Sequence, residues 1–243
     1  MSVSRSNSER PNGCPPVTVL ICTLNEEQNL SFVIPQIPKW VDEILLIDGH
    51  STDKTVELAK HLRPEIKIMT QPGKGKGEAL KFGVQQAMGE IIITLDADGE
   101  TPPEEINNFI VPLLEGKDFA KGSRLFKRRP LKMPRYRWFG NKALAITCNL
   151  LFGTHFTDIC SGYNAFWKNK FLQLNLPHDV HEVGCSMEQV IIVRSKKRGM
   201  NIEEIPHTSN GRIGGTSVLS NPGQTIVQGF KDWFVVIGER FQK

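Results

Sequence analysis

The chain has 243 residues, 39% hydrophobic and 23% charged, with a formal net charge of +4. That balance fits a soluble globular protein long enough for one large domain, and the charge is too small to imply a polyanionic partner by itself. Five cysteines (Cys14, Cys22, Cys148, Cys160, Cys185) are odd in number and lack CxxC spacing, which supports neither a zinc site nor a disulfide framework and points to a reducing cytoplasm.

Residues 1–16 are polar, carry no apolar signal-peptide core and read as a disordered leader. "VTVLICT" (17–23) predicts a buried strand, followed by a helix with acids in its first turn. "EILLID" (43–48) predicts a second strand, "STDKTVELAKHL" (51–62) a helix capped by Ser or Thr, and "IKIM" a short third strand. After a Gly-rich loop, "EALKFGVQQAM" (78–88) has helical spacing, "IIITL" (91–95) is a fourth strand, and "PPEEINNFIVPLL" another helix. This alternation predicts one open, mostly parallel α/β sheet flanked by helices, with ligands at the carboxyl ends of its strands.

The second half is less regular. Helices are predicted over 142–153 and 186–199, a short strand at "NIEEIP" and a flexible loop at "NGRIGGTS" (210–217). An amphipathic helix is predicted over 221–243, leaving 17–220 as the catalytic domain. The stretch "IVQGFKDWFVVIG" is interrupted by Lys231 and Asp232, too short an apolar run to span a bilayer, although a surface position stays open.

Three features carry chemistry. "IIITLDADGE" ends an apolar strand in Asp96, Asp98 and Glu100, which share one face if the chain stays extended. Carboxylates so placed suit Mg²⁺ or Mn²⁺ clamping a diphosphate, but an isolated D-x-D is a weak signal. "PGKGKGEAL" has neither P-loop nor Rossmann spacing, yet its Gly and Lys residues suit close approach to a nucleotide. From Lys121 to Lys142 there are nine Lys or Arg and no acid, interleaved with aromatic residues, a pattern suited to an anionic or phosphorylated partner or a bilayer interface. The histidines form no ligand or triad pattern, and Ser161 and Ser217 lack a nucleophile elbow.

The order "ICTLNEE", "IDGHSTDKT", "GKGKGEAL", "GEIIITLDADGE", "PPEEI", "KGSR" resembles family 2 glycosyltransferases with the GT-A fold. The nearest pattern is that of dolichyl-phosphate mannose synthase and related polyprenyl-phosphate sugar transferases. The resemblance implies that Thr23, Asn25, Glu26 and Asp48 hold the nucleoside, with Ser51 and Asp53 shaping a turn. Lys76 and the Asp96–Ala97–Asp98 segment then meet the donor diphosphate, and Asp96, Asp98 and Glu100 the metal. Arg124, Arg137, Asp158 and Gly162 fall on the acceptor side, and Arg212 on the donor phosphates. Three positions depart from the pattern: Gly49 replaces a second Asp, Ser186 and Glu188 leave one acid where relatives carry two, and Val218 replaces a lysine.

The implied activity is an inverting, Mg²⁺- or Mn²⁺-dependent transfer from a UDP- or GDP-sugar to a polyprenyl or dolichyl phosphate, with Asp98 and Arg212 in catalytic roles. The protein is then cytoplasmic, peripheral at the inner face of the membrane, with a homodimer or tetramer open and nucleic acid excluded as partner. A small soluble acceptor such as a phosphorylated glycerate is the alternative; a hydroxyl acceptor needs a base, for which Glu188 is the candidate. A catalytically silent nucleotide-sugar-binding module is the third reading.

Overall fold

The computed structural model describes residues 9–126, 129–176, 186–215 and 221–242. Aliphatic runs build its centre: Val17–Thr23 (β1), Glu43–Asp48 (β2), Lys67–Thr70 (β3) and Ile91–Asp96 (β4). All four are parallel, as the predicted alternation requires, with β1 between β2 and β4 and β3 outside β2. Their crossovers carry Glu27–Val33 (α1), Thr55–Leu62 (α2) and Lys76–Gln86 (α3), and Ile106–Leu114 (α4) follows β4.

Phe119–Ser123 (β5), Asn164–Trp167 (β6) and Ile202–Pro206 (β7) complete one seven-stranded sheet of order β3-β2-β1-β4-β6-β5-β7. Only β6 runs antiparallel to its neighbours. Two of these strands escape sequence reasoning: β5 ("FAKGS") and β6 ("NAFW") are short and carry no alternating apolar pattern. They are strands because the sheet pairs them, tertiary context overriding weak local propensity.

Arg135–Phe152 (α5), Lys168–Leu172 (α6), Ser186–Lys197 (α7) and Pro222–Glu239 (α8) follow. The predicted helix at 142 begins at Arg135 instead, entered through Pro134 and closed by Gly153 at φ +60°. The helix predicted from Ser51 starts at Thr55 and has no side-chain cap, because Asp48 and Asn25 draw residues 50–52 into a loop. Residues 9–16, expected to belong to a disordered leader, lie against the sheet: Arg10 pairs with Asp42 at 2.9 Å and Glu90 N–H donates to the Pro16 carbonyl. Residues 1–8, Cys185, Ser217 and Val218 lie outside the described residues.

Strand alternation sorts the core onto two faces. Val19, Ile21, Leu46 and Ile93 pack under α1, α2 and α4, with Leu30, Ile34 and Phe109 among the contacts. Leu20, Ile47, Ile92 and Phe166 pack under α3, α5, α7 and α8, with Val84, Leu144, Ile191 and Val236. α8 is fixed by an Arg194–Glu239 ion pair of 2.8 Å and by Trp233 Nε1–H donating to Thr147 Oγ1. No helix among the described residues is long and apolar enough to cross a membrane.

α3 reaches the sheet through Gly83, where a Cβ would stand 2.4 Å from Leu20 Cδ1 and 2.9 Å from Ile47 Cγ1. Gly83→Val is therefore expected to lose about 1–3 kcal/mol through overpacking, read as a lower urea midpoint at unchanged slope.

Candidate active site

The carboxyl ends of β1, β2 and β4 form one edge, where Thr23, Asp48 and Asp96 end their strands and Asn25, Glu26 and Asp98 follow closely. Strand β4 stops at Asp96, and Ala97–Gly99 turns, with Gly99 at φ +72°. Asp98 Oδ1 accepts the Glu100 N–H at 2.9 Å, tightening the turn. The three acids therefore do not share a face as an extended chain would require. Each meets a different cation. Asp96 Oδ1 lies 2.6 Å from Lys76 Nζ, at the start of α3, and Lys76 also reaches Glu188 on α7 at 2.7 Å. Asp98 Oδ2 faces Arg212 at 3.9 Å. Glu100 accepts the Ser209 hydroxyl at 2.6 Å and stands 3.8 Å from Arg124.

Among the described residues, no three Asp, Glu, His or Cys side chains cluster as a ready metal cage. A small hard cation needs less, since one or two carboxylates with ligand phosphates and water suffice. Asp98 suits that role. Burial and the neighbouring Asp96 push its carboxyl up to about 6, with Glu100 adding and Arg212 opposing. This local surplus of negative charge is what a bound cation would relieve.

The loop after β7 closes over this edge. Arg212 Nη2 pairs with Glu26 Oε2 at 2.7 Å, and its Nε–H donates to the Gly214 carbonyl. Asn29 bonds both Glu26 and the Gly214 backbone. Ile213 N–H donates to the Asp98 carbonyl and Asn210 N–H to that of Glu100. Arg212 is thereby held beside both Glu26 and Asp98.

Beyond Glu26, two loops knit a floor. Asp48 accepts the N–H groups of His50 and Ser51, and Asn25, at φ +56°, accepts the Thr52 N–H. Two buried oxygens there have no partner, Thr23 Oγ1 and Gln71 Oε1. Thr23 was expected at this site. Gln71 was not, since in "MTQPGKG" only its position just past β3 singles it out; its N–H donates to the Asp48 carbonyl.

On the far side of β4, Arg124 and Asp158 form a buried two-pronged pair, at 2.8 and 3.2 Å. Burial alone would raise the Asp158 carboxyl; Arg124 and Lys121 outweigh it and hold it far below the usual range. Glu204 accepts the Thr157 and Asp158 N–H groups and fixes this segment. Gly162 stands against Asp96, where a Cβ would lie 2.5 Å from Oδ2. Arg137 is on the first turn of α5, lining a groove between α5 and α8; no described hydrogen bond or ion pair joins it to Arg124 or Asp158.

Two further residues were missed. Lys121 is fully buried and donates to the carbonyls of Gly122 and Ser161. His207 Nδ1–H donates to the Thr208 carbonyl, which leaves Nε2 to accept the Ser161 hydroxyl at 2.9 Å. Burial drives His207 down to about 4, so the ring is neutral at pH 7. Lys121 opens the basic run and the "KGSR" motif, but neither pattern signals its burial, and His207 lies in a segment without a pattern of its own.

A raised carboxyl pKa means that ionised Asp98 costs folding free energy at neutral pH. Asp98→Asn should therefore raise the melting temperature of the metal-free protein, by roughly 2–6 °C, and abolish any stabilisation by Mn²⁺. Thermal melts with and without Mn²⁺ check both signs.

The pattern of the family described as Glycosyl transferase family 2 matches residues 18–174. Glycosyltransferase AglJ of Haloferax volcanii is 32% identical over 208 residues, covering 85% of this chain and 67% of its own. The UDP-N-acetylglucosamine–dolichyl-phosphate N-acetylglucosaminyltransferase of Methanococcus voltae is 31% identical over 231 residues, covering 84% and 90%. Glucosyl-3-phosphoglycerate synthase of Mycobacterium tuberculosis, solved with Mn²⁺, UDP-glucose and phosphoglyceric acid, aligns with a TM-score of 0.75 at 19% identity, over 93% of this chain and 80% of that one. That identity speaks for the fold alone, and the fold is GT-A. With a family match over most of its length, the chain belongs to glycosyl transferase family 2 and is a glycosyltransferase.

Proposed function

We propose that the protein transfers a sugar from a UDP- or GDP-sugar to a polyprenyl or dolichyl phosphate, with inversion and with Mg²⁺ or Mn²⁺. The observation that carries the acceptor class is an apolar groove next in the chain to a buried cation. Asp158, which clamps Arg124, also accepts the Cys160 N–H at 2.8 Å, and Cys160 lines the groove of about 280 Å³ between α5 and α8. With its phosphate beside Arg124, an acceptor would lay its hydrocarbon tail toward this groove. The relative from Methanococcus voltae, named for a dolichyl-phosphate acceptor, supports the same class.

On this reading Asp48, Thr23 and Gln71 receive the nucleoside, Gln71 Oε1 accepting from the base or ribose and the Thr23 hydroxyl donating to it or accepting from it. Asn25 and Glu26 shape that floor. Lys76 and Arg212 exchange part of their contact with Asp96 and Glu26 for the donor diphosphate. Asp98, with Asp96 and Glu100 beside it, would hold a divalent cation, which when bound would neutralise charge on the leaving diphosphate. Preorganised charge of this kind is the largest catalytic contribution in many enzymes. The acceptor phosphate is already an anion at neutral pH and needs no strong base; Arg124 orients it for attack. Glu188 then serves to hold Lys76.

One observation favours a second reading, a hydroxyl on a small soluble acceptor. Glu188 Oε2 is buried without a partner beside Asp96 and Lys76, where a base could take a proton. Transfer assays decide between the two. UDP- and GDP-sugars with Mn²⁺ are offered with either a detergent-solubilised polyprenyl phosphate or 3-phosphoglycerate. Label transferred to the lipid alone is expected; label on the glycerate alone would overturn the lipid assignment. Gly162→Ala should displace Asp96 and lower kcat on the order of a hundredfold, with an unchanged far-ultraviolet spectrum. An active Gly162→Ala protein would remove Asp96 from the site.

A further inference from the structure

Helices α5 and α8 pack side by side and leave an unusually apolar outer surface. On α5, Tyr136, Phe139, Ile146 and Leu150 are exposed, Leu150 at 81%. They follow one another at helical spacings of three, seven and four residues, so they form one stripe. On α8, Ile226, Phe230, Trp233 and Phe234 form a second stripe, Phe234 being 69% exposed, and Phe241 just beyond the helix is 81% exposed. The Trp233–Thr147 hydrogen bond joins the two helices, and the groove between them is lined by Tyr136, Phe230 and Trp233. The stripes therefore border one surface.

The charges on this surface are of one sign. Arg135, Arg137 and Lys142 stand on α5, which contains no acid. Lys231 on α8 and Arg240 just past it are exposed. The two acids of α8 are turned inward: Asp232 is 5% exposed and accepts from Gln228, and Glu239 is 3% exposed and bound to Arg194. The sequence thus places acids only where the protein itself covers them.

We infer that the α5–α8 surface docks on an anionic lipid bilayer. Exposed aromatic and aliphatic side chains ringed by basic ones match the interface of a membrane with acidic headgroups, where rings lie at headgroup depth and Lys and Arg meet phosphate. A second copy of the chain is the wrong occupant, because two such surfaces would oppose positive charge to positive charge. Docking in this orientation brings the mouth of the α5–α8 groove onto the bilayer. The inference goes beyond the acceptor reading, and its test uses no acceptor, so either can fail alone.

The full chain is sedimented with vesicles of phosphatidylcholine alone, or with about one-third phosphatidylglycerol added, at roughly 0.1 and 0.5 M salt. Binding is expected to the anionic vesicles only and to weaken at high salt. Lys231→Glu should weaken it about fivefold or more, and Phe234→Ser more than about tenfold. Both side chains are exposed, so melting temperatures should stay near that of the parent. No binding to anionic vesicles, equal binding to neutral ones, or variants that bind like the parent would overturn the inference. So would a dimer in size-exclusion chromatography that Phe234→Ser converts to monomer, since a second copy would then own the surface.

Discussion

Like charge at the end of a buried strand is the constraint around which this molecule is arranged. Asp96, Asp98 and Glu100 fall within five residues, and two unit charges 4 Å apart interact by about 4 kcal/mol at an effective dielectric of roughly 20. The turn at Gly99 lessens the repulsion by aiming the carboxylates apart, and three separate elements each bring one cation to them. Lys76 comes from the first turn of α3, Arg124 from the end of β5, and Arg212 from the loop after β7. The second half of the chain, with its short strands and long loops, delivers two of the three. Arg212 gives its short contact to Glu26 at 2.7 Å and stands 3.9 Å from Asp98, whose carboxyl burial and the neighbouring Asp96 push up.

Close backbone approach is the second requirement, and glycine meets it at the contacts that matter. Gly162 lets the segment from Asp158 to Tyr163 lie against Asp96, while the Thr94 hydroxyl donates to the Gly162 carbonyl at 2.6 Å and locks the approach. Lys121, bonding the Ser161 carbonyl, and His207, receiving the Ser161 hydroxyl, hold the same segment from two other sides. The Asp96 edge and the Arg124–Asp158 pair are thus bonded to one another through the 158–163 segment, across β4, β6 and β5. A shift in any of these anchors would be felt at Asp96.

How much of this could be read from residues alone follows from which interactions are local. β1, β2 and β4 were legible to the residue or nearly so, because buried parallel strands are continuous aliphatic runs bounded by turn residues. The motif order singled out Lys76, Asp98, Arg124, Asp158, Gly162 and Arg212; in the fold Lys76 and Gly162 meet Asp96, Arg212 faces Asp98, and Arg124 lies between Glu100 and Asp158. β5 and β6 were illegible, since five and four residues held by pairing across the sheet leave no periodic trace. The shared face of the three acids failed for a related reason: alternation was extrapolated to Glu100, four residues past the strand's end at Asp96, and the turn with Gly99 at positive φ had already ended it. Gln71, Lys121 and His207 matter through partners distant in sequence, and Arg137, placed on the acceptor side by the resemblance, lines the α5–α8 groove.

The Arg124–Asp158 pair places two opposite charges together inside the protein. Both groups are nearly or wholly buried. Taking two charges out of water is expensive, and an apolar pair of similar volume is often as stable or more so. Stability alone therefore does not account for the pair. What an apolar pair cannot do is hold a guanidinium in one orientation, two of its nitrogens spent on Asp158 and a third turned toward Glu100. Asp158 is in turn held by backbone N–H groups of Arg124 and Cys160, and its own N–H by Glu204. A cation so constrained cannot swing to meet an anion, so an incoming anion must align to it. On the proposed reading, with Asp96 and Asp98 fixed on the other side of β4, that alignment sets the geometry between the two substrates before either is present.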